Sequence, residues 1–282
     1  MASNQDIQAL VHRIPDPNKG GTYADLTEQS AKQIDQVVAQ LRAGGAESVL
    51  GVIDLLVEPG KGDDIKPHFA LHVLAVRVSA PGNEKDRAVF ARTLAAQLAA
   101  DRPPAVKSYL IEQLQVAGGK EALAALGKVL RDPVLCDTAA RALAAIGDGA
   151  AEQLLAALPD VQGASHLSVL KKLAFLRVKA AAGAFRKALA DRDADVRIAA
   201  GWGLARLADA SASAAMLKAA DAHQGWERIN LTDACMSLAE ALVSAREKAT
   251  AARIYKHLAE TRGDAAEKHV RRAAKDALAA IQ

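Results

Sequence analysis

Aromatic side chains, cysteines and long hydrophobic runs are all scarce in this sequence. Of the 282 residues only 3% are Phe, Trp or Tyr, which argues against a β-sandwich or barrel, because strands favour aromatic and β-branched residues. Uncharged stretches such as residues 67–76 reach about ten residues, whereas a helix that crosses a bilayer needs about twenty. We therefore expect neither a β-rich fold nor a membrane span.

The two cysteines, Cys136 and Cys235, lie far apart in the chain and form no CxxC pair. This spacing argues against a structural zinc site or a redox dithiol. Residues 1–6 contain no basic segment followed by an apolar one, so the sequence predicts no signal peptide. We expect a cytoplasmic protein, or a periplasmic or secreted one if a signal peptide has been removed.

Alanine is the abundant residue, and the charge is unevenly distributed. The 65 alanines favour helices, because alanine has the highest helix propensity. The net charge is +3, but residues 1–160 carry −4 and residues 161–282 carry +7. The densest basic stretch is 171–206, and it could attract an acidic partner. Solvated helix faces would account for the same charges.

An internal repeat organises most of the chain. The segment that starts at Asp193 aligns with the one that starts at Asp132, a shift of two units of about thirty residues, and a third copy starts at Val270. Each copy carries one apolar stripe at helical spacing. A shorter helical segment precedes each copy, and glycine or aspartate residues punctuate the pairs. The repeating unit is therefore a helical hairpin.

This pattern resembles the HEAT repeat, in the short bacterial form named after phycobilisome lyase subunits. Its marks are an aspartate at the turn, then Val-Arg, Ala-Ala, and two apolar residues. They are matched by Asp193, Val196, Arg197, Ala199, Ala200, Leu204 and Leu207, and by Val270, Arg271, Ala273, Ala274, Leu278 and Ile281. Cys136 stands where the repeat usually has arginine. The resemblance covers about residues 46–282.

The predicted fold is all-α, a right-handed α-solenoid of about seven hairpins with an N-terminal capping helix. One hairpin cannot bury its stripe alone, so neighbouring hairpins stack. We predict an extended N-terminal arm over residues 1–26 and a capping helix within residues 27–45, preceded by an Asp25-x-x-Glu28 capping box. The solenoid itself spans 46–282, with hairpins near 46–79, 83–117, 119–146, 149–178, 180–208, 211–243 and 246–281.

The candidate site is a stripe beside the core positions of the second helices. The resemblance implies that these helices line the concave surface. Ile198, Trp202 and Arg206 lie one turn apart and are neighbours. In other copies, Arg141, Lys171, Met236 and Asp276 take the position of Trp202, and Asp137, Leu167, Thr232 and Arg272 that of Ile198. We predict a partner site with Trp202, Ile198 and Met236 as apolar contacts and Arg141, Lys171 and Arg206 as polar contacts. Packing of Trp202 against a neighbouring repeat is an equal alternative.

Motifs for catalysis are missing. The sequence has no HExxH, GxSxG or GxxxxGK[ST] motif, and Gly201-Trp202-Gly203 fits close helix packing better than a dinucleotide site. No histidine is followed by glutamate, which argues against the helical-repeat deoxyhypusine hydroxylases and their His-Glu pairs. His68 and His72 share a helix face, but no third metal ligand is evident. We predict no catalytic residue, cofactor or metal.

The predicted function is a non-catalytic scaffold that binds a protein on the concave face. One alternative is binding of nucleic-acid backbone by the basic C-terminal half. Few aromatic side chains are available to stack on bases, so only backbone contacts are expected there. Another alternative is a bilin lyase or isomerase subunit, which the repeat type and chain length suit.

Overall fold

The computed structural model describes residues 4–281, and the side chains from Gln5 onward. Within this range the chain forms sixteen α-helices and no strand, so the predicted all-α class is confirmed. The chain divides into two compact units, one ending at Ala157 and the other beginning at Leu158. The boundary falls inside the fourth predicted hairpin. The predicted bounds of the solenoid, 46–282, stay a prediction.

The first unit contains nine helices. They are α1 (Asn4–His12), α2 (Glu28–Ala43), α3 (Gly45–Ile53), α4 (Ile65–Ser79), α5 (Glu84–Gln97), α6 (Pro104–Ala117), α7 (Leu123–Val129), α8 (Cys136–Ile146) and α9 (Ala150–Ala157). Helices α3 and α4, α5 and α6, and α7 and α8 pack as hairpins, and the second helices α4, α6 and α8 pack in succession. The predicted pairs in this unit are thus present.

The predicted extended arm contains a helix, which is a correction. Helix α1 packs on α3 and α4, with Ile7, Val11 and Ile14 almost fully buried. Gly51 makes room for α1, because a Cβ there would lie 3.0 Å from Ile7. These three residues have helical spacing, but the residues that follow them in the sequence are typical of a loop. The first helical layer is therefore covered by α1 as well as by α2.

The cap of α2 also differs from the prediction. Thr27, not Asp25, is the N-cap residue, and its Oγ1 accepts a hydrogen bond from the Ser30 backbone N–H at 3.1 Å. Asp25 instead accepts a hydrogen bond from the Asn18 amide at 3.2 Å. Aspartate and threonine are both favoured N-cap residues, so residue type alone did not separate two candidates that lie two positions apart.

The second unit contains seven helices. They are α10 (Gly163–Phe175), α11 (Ala182–Ala188), α12 (Ala194–Arg206), α13 (Ser213–Ala222), α14 (Gly225–Ser244), α15 (Lys248–Thr261) and α16 (Lys268–Ile281). Helices α11 and α12, α13 and α14, and α15 and α16 pack as hairpins. The second helices α10, α12 and α14 pack side by side.

Close packing around α12 explains the glycines within it. A Cβ at Gly203 would lie 2.8 Å from the Phe185 ring of α11, and one at Gly201 would lie 3.2 Å from Leu231 of α14. Glycine in a helix interior costs about 0.5–1 kcal/mol relative to alanine. That cost is offset here by the approach of two helices. The prediction of close packing for Gly201-Trp202-Gly203 therefore agrees with these contacts.

Three second helices end in the same backbone motif. Arg177, Ala208 and Arg246 follow α10, α12 and α14 with φ values of 54°, 51° and 67°. The N–H of the next residue then donates to the carbonyl five residues earlier, as from Asp209 N to Leu204 O at 3.1 Å. This is the Schellman arrangement, which usually has glycine at the left-handed position. The same motif thus ends all three helices, although α14 has 20 residues and α10 and α12 have 13 each.

Candidate functional site

Helices α10, α12 and α14 repeat with a period of 31 residues. They begin at Gly163, Ala194 and Gly225, and the Arg206 side chain bonds to the carbonyl of Phe175, 31 residues earlier. Arg197 of α12 pairs with Glu227 of α14, 30 residues later. Counted from the helix starts, residues 31 positions apart therefore lie at equivalent turns of α10, α12 and the N-terminal part of α14.

This period places three aliphatic residues in one row across the helices. The row consists of Leu167 on α10, Ile198 on α12 and Ile229 on α14, and we call it the apolar row. Leu167 and Ile198 are half-buried, whereas 62% of Ile229 is exposed. An exposed isoleucine that continues a half-buried row indicates a surface that packing within the unit leaves open.

Both tryptophans of the chain flank the apolar row. Trp202 lies one turn beyond Ile198 and Trp226 lies one turn before Ile229. They are 37% and 69% exposed. Tryptophan is usually well buried, so two exposed indoles on one face are unusual. We call the apolar row with Trp202 and Trp226 the α10–α12–α14 face.

The charges beside the apolar row differ from one helix to the next. The period aligns Lys171, Trp202 and Asp233 on one side of the row, and Ala164, Asp195 and Trp226 on the other. Lys171, Asp195 and Asp233 are exposed. The face thus has a cation on α10 and carboxylates on α12 and α14. No single sign of charge dominates it.

An ion pair fixes α14 against α12 beneath this face. Arg197 Nε and Nη2 donate to the Glu227 carboxylate at 2.5 and 2.7 Å, and both side chains are mostly buried. The hydrogen bond from Arg197 lowers the pKa of Glu227, and the same bond raises the pKa of Arg197. This bidentate pair sets the position of the first turn of α14, which carries Trp226.

Arg206 has an intramolecular role that the sequence did not indicate. Its Nε and Nη2 donate to the carbonyls of Ala174 and Phe175 at 2.9 and 3.0 Å, at the end of α10. Its guanidinium also lies 4.9 Å from the centre of the Trp202 ring, within cation–π range. Arg206 therefore ties α10 to α12 and supports Trp202. A role for Arg206 in direct contact with a partner stays a prediction.

The other predicted residues are placed as follows. Lys171 is exposed on α10 beside the apolar row, and Met236 is half-buried on α14. Arg141 belongs to the first unit, where it is exposed on α8 and pairs with Asp137 at 3.3 Å. The structure therefore collects Lys171, Ile198, Trp202 and Arg206 on α10 and α12 of one unit.

The predicted register of α14 needs a correction. The repeat alignment equated Thr232 with Ile198 and Met236 with Trp202, but the period places Ile229 and Asp233 there. Thr232 is buried and binds Arg262. Trp226 and Ile229 were missed as site residues for the same reason. Their signal was present in the sequence as a Trp and an Ile spaced by three among polar neighbours.

A second cluster of polar side chains joins α14 to the last hairpin. Arg262, fully buried after α15, donates from Nη1 to Asp221 at 2.7 Å and from Nε to Thr232 at 3.1 Å. Arg228 of α14 forms a bidentate pair with Glu267 at 2.7 and 3.0 Å. Arg262 Nη2 is buried and has no hydrogen-bond partner. We call these residues, with His257, the Arg262 cluster.

The pKa directions in the Arg262 cluster follow from its contacts. Burial raises the pKa of Asp221, but hydrogen bonds from Arg262 and His257 outweigh burial and hold it below its usual value. The hydrogen bond from Arg228 lowers the pKa of Glu267. Burial raises the pKa of the nearby Cys235 thiol to about 12, so this thiol is not a nucleophile at neutral pH. These shifts come from ion pairing and burial, and none of them activates a nucleophile.

Residues 4–281 contain neither a metal-binding cluster nor a helix that could span a membrane. No group of three or more His, Cys, Asp or Glu side chains is arranged to hold a metal ion among them. His68 and His72 instead use Nδ1 within the first unit, towards the Asp64 carbonyl and the Gln113 amide, each at 3.0 Å. No helix in the same range is both long and apolar enough to cross a bilayer.

The comparisons with known proteins leave the family open. No family model and no curated protein matches the chain. An engineered protein of known crystal structure is 16% identical with a TM-score of 0.49, over 99% of this chain and 84% of that one. Human deoxyhypusine hydroxylase in complex with glycerol is 17% identical with a TM-score of 0.34, over 98% and 96%. Likeness at this level carries no argument about function.

Proposed function

We propose that this protein is a non-catalytic interaction module that binds a partner protein through the α10–α12–α14 face. The observation that carries the proposal is the joint exposure of Trp226 and Ile229 beside Trp202 on one packed set of helices. A few residues, with tryptophan prominent among them, supply most of the binding energy at protein interfaces. The face carries no cluster of titratable groups that acid–base or nucleophilic chemistry would need.

The rigidity of the face supports the same proposal. The Arg197–Glu227 pair fixes α12 to α14, and Arg206 fixes α12 to α10. A preformed surface loses little conformational entropy when it binds. The three helices therefore present their exposed side chains in a fixed arrangement.

The test is affinity enrichment from native lysate with three forms of the full chain. These are the wild type, a Trp226→Ala/Ile229→Lys variant, and a Val134→Lys control. Val134 is 70% exposed in the first unit, so the control changes a similar exposed apolar residue elsewhere. We expect a protein that the wild type and the control retain and the double variant loses. Identical retention by all three forms would contradict the proposal.

Nucleic-acid binding is a second candidate, and one observation favours it. Arg177 and Arg246 occupy the left-handed positions after α10 and α14, and Lys179 and Lys248 follow each by two residues. All four are exposed, at the same end of the second helices. Such a basic edge would bind phosphates with an affinity that falls steeply with salt. A gel-shift assay with labelled DNA and RNA at low salt tests it, and no shift excludes it. The bilin lyase alternative has no comparable observation in its support.

A further inference from the structure

We propose that the apolar row binds an amphipathic α-helix of the partner, lying across α10, α12 and α14. This inference rests on the proposed function and adds the shape and the charge pattern of the partner segment. It is carried by the spacing of the apolar row and by the charges on either side of it.

The spacing of the apolar row suits a helix. Packed helices lie about 8–10 Å apart, and α10, α12 and α14 pack in succession, so we expect steps of that size between Leu167, Ile198 and Ile229. A helix rises 1.5 Å per residue, so residues i, i+7 and i+14 fall about 10.5 Å apart on one face. An extended strand covers one step in about three residues, but its successive side chains point to opposite faces. Anchors three apart on a strand would therefore alternate between facing the row and facing solvent.

The charges set the direction of the bound helix. Lys171 is exposed at the α10 end of the face, and Asp233 is exposed at the α14 end. A partner helix with acidic residues over α10 and basic residues over α14 would complement both. Asp195 of α12, on the other side of the row, also favours a basic residue of the partner helix near it. A phosphate backbone would meet two carboxylates on this face and is disfavoured.

Both indoles of the chain report on this one face. Trp202 and Trp226 are the only tryptophans in the sequence, so a change in intrinsic fluorescence on binding arises from the α10–α12–α14 face. Binding of a segment elsewhere on the protein would leave the emission spectrum nearly unchanged. This assay therefore needs no label, provided that the added peptide contains no tryptophan.

The experiment is a display selection against the full chain, with a library of randomised 20-residue segments that contains helix-forming and proline-rich members. We expect enriched helical segments with apolar residues at i, i+7 and i+14, acidic residues at one end and basic residues at the other. Their synthetic peptides should shift the tryptophan emission. Ile229→Lys should weaken binding at least tenfold, and Val134→Lys should not.

A single charge reversal, Lys171→Glu, tests the assigned charge pattern, because it leaves carboxylates at both the α10 and the α14 ends of the face. Selection against it should enrich segments with basic residues at both ends. Identical charge patterns from both proteins would overturn the assigned direction.

The remaining outcomes separate this inference from the proposed function. Enrichment of extended or proline-rich segments whose binding Ile229→Lys abolishes would overturn the helical occupant and leave the interaction face intact. Binders that Ile229→Lys does not affect, or no enrichment, would overturn both. Self-association of the wild type in analytical ultracentrifugation, lost in Ile229→Lys, would assign the face to a second copy of this chain and overturn the inference.

Discussion

Replacing Asp221 by Asn should destabilise the second unit more than replacing its buried partner, Arg262, by Met. Arg262 is fully buried, and Asp221 Oδ1 is its nearest carboxylate oxygen at 2.7 Å, with Glu267 next at 3.6 Å. Asp221→Asn leaves a buried guanidinium with only the more distant carboxylate. Removing one partner of a buried pair costs about 3–5 kcal/mol.

The expected magnitude follows from the exposure of each partner. The Asp221 side chain is 36% exposed, so water replaces part of the lost interaction and we expect a cost of about 2–3 kcal/mol. Arg262→Met removes the buried charge and the unpartnered Nη2 while keeping much of the volume. Asp221 then retains His257, and Glu267 retains Arg228. We expect Arg262→Met to change stability by less than about 1 kcal/mol.

Urea unfolding followed by tryptophan fluorescence measures this prediction, because both tryptophans lie in the second unit. The double variant Asp221→Asn/Arg262→Met should be more stable than Asp221→Asn alone, since the unpaired charge is gone. The reasoning would be refuted if Arg262→Met cost as much as Asp221→Asn, or if the two costs simply added.

Two further predictions concern acid sensitivity and a helix end. The pKa values of Asp221, Glu227 and Glu267 are all lowered in the fold. The stability that these three carboxylates contribute is therefore present above the usual carboxylate pKa of about 4, and it is lost as pH falls through the lowered values. A series of urea unfolding curves from pH 6 to pH 2 should show this loss of stability. In Asp221→Asn the loss between pH 6 and pH 2 should be smaller. Ala208→Gly should stabilise the protein by about 0.5–1 kcal/mol, because φ at Ala208 is 51°. The control Ala252→Gly, inside α15, should destabilise the protein by a similar amount. Equal effects of the two changes in thermal melts would show that glycine does not relieve the left-handed strain at Ala208.

The helical hairpins were predictable because their signal is local. A stripe of apolar residues at helical spacing, bounded by glycine and aspartate, fixes a helix whatever its neighbours are. The helix within the N-terminal arm was less evident, because Ile7, Val11 and Ile14 are few and lie beside a loop rich in proline and glycine. Its stability comes from burial against α3 and α4, which the sequence does not display.

The candidate face was only partly predictable, because the apolar stripes of two helices still match when their alignment is shifted by one turn. Aligning Leu204 with Leu238 moves α14 by about one turn from the observed period, yet the apolar pattern still matches. Contacts between helices resolve the choice, and the Arg197–Glu227 pair is one of them. The hydrogen bonds from Arg206 to carbonyls of α10 were not predictable either, because every residue type carries a backbone carbonyl.

The 31-residue period also makes the second unit extensible. A segment such as 179–209 contains one first helix, one second helix and the turn that follows them. Neighbouring repeats interact mainly with each other, so a tandem copy of this segment could insert between existing layers without disturbing either end. Such an insertion would add a fourth aliphatic residue to Leu167, Ile198 and Ile229 and lengthen the surface by one helix spacing. Segment duplication would thus give this unit a longer surface, which could contact a longer partner segment.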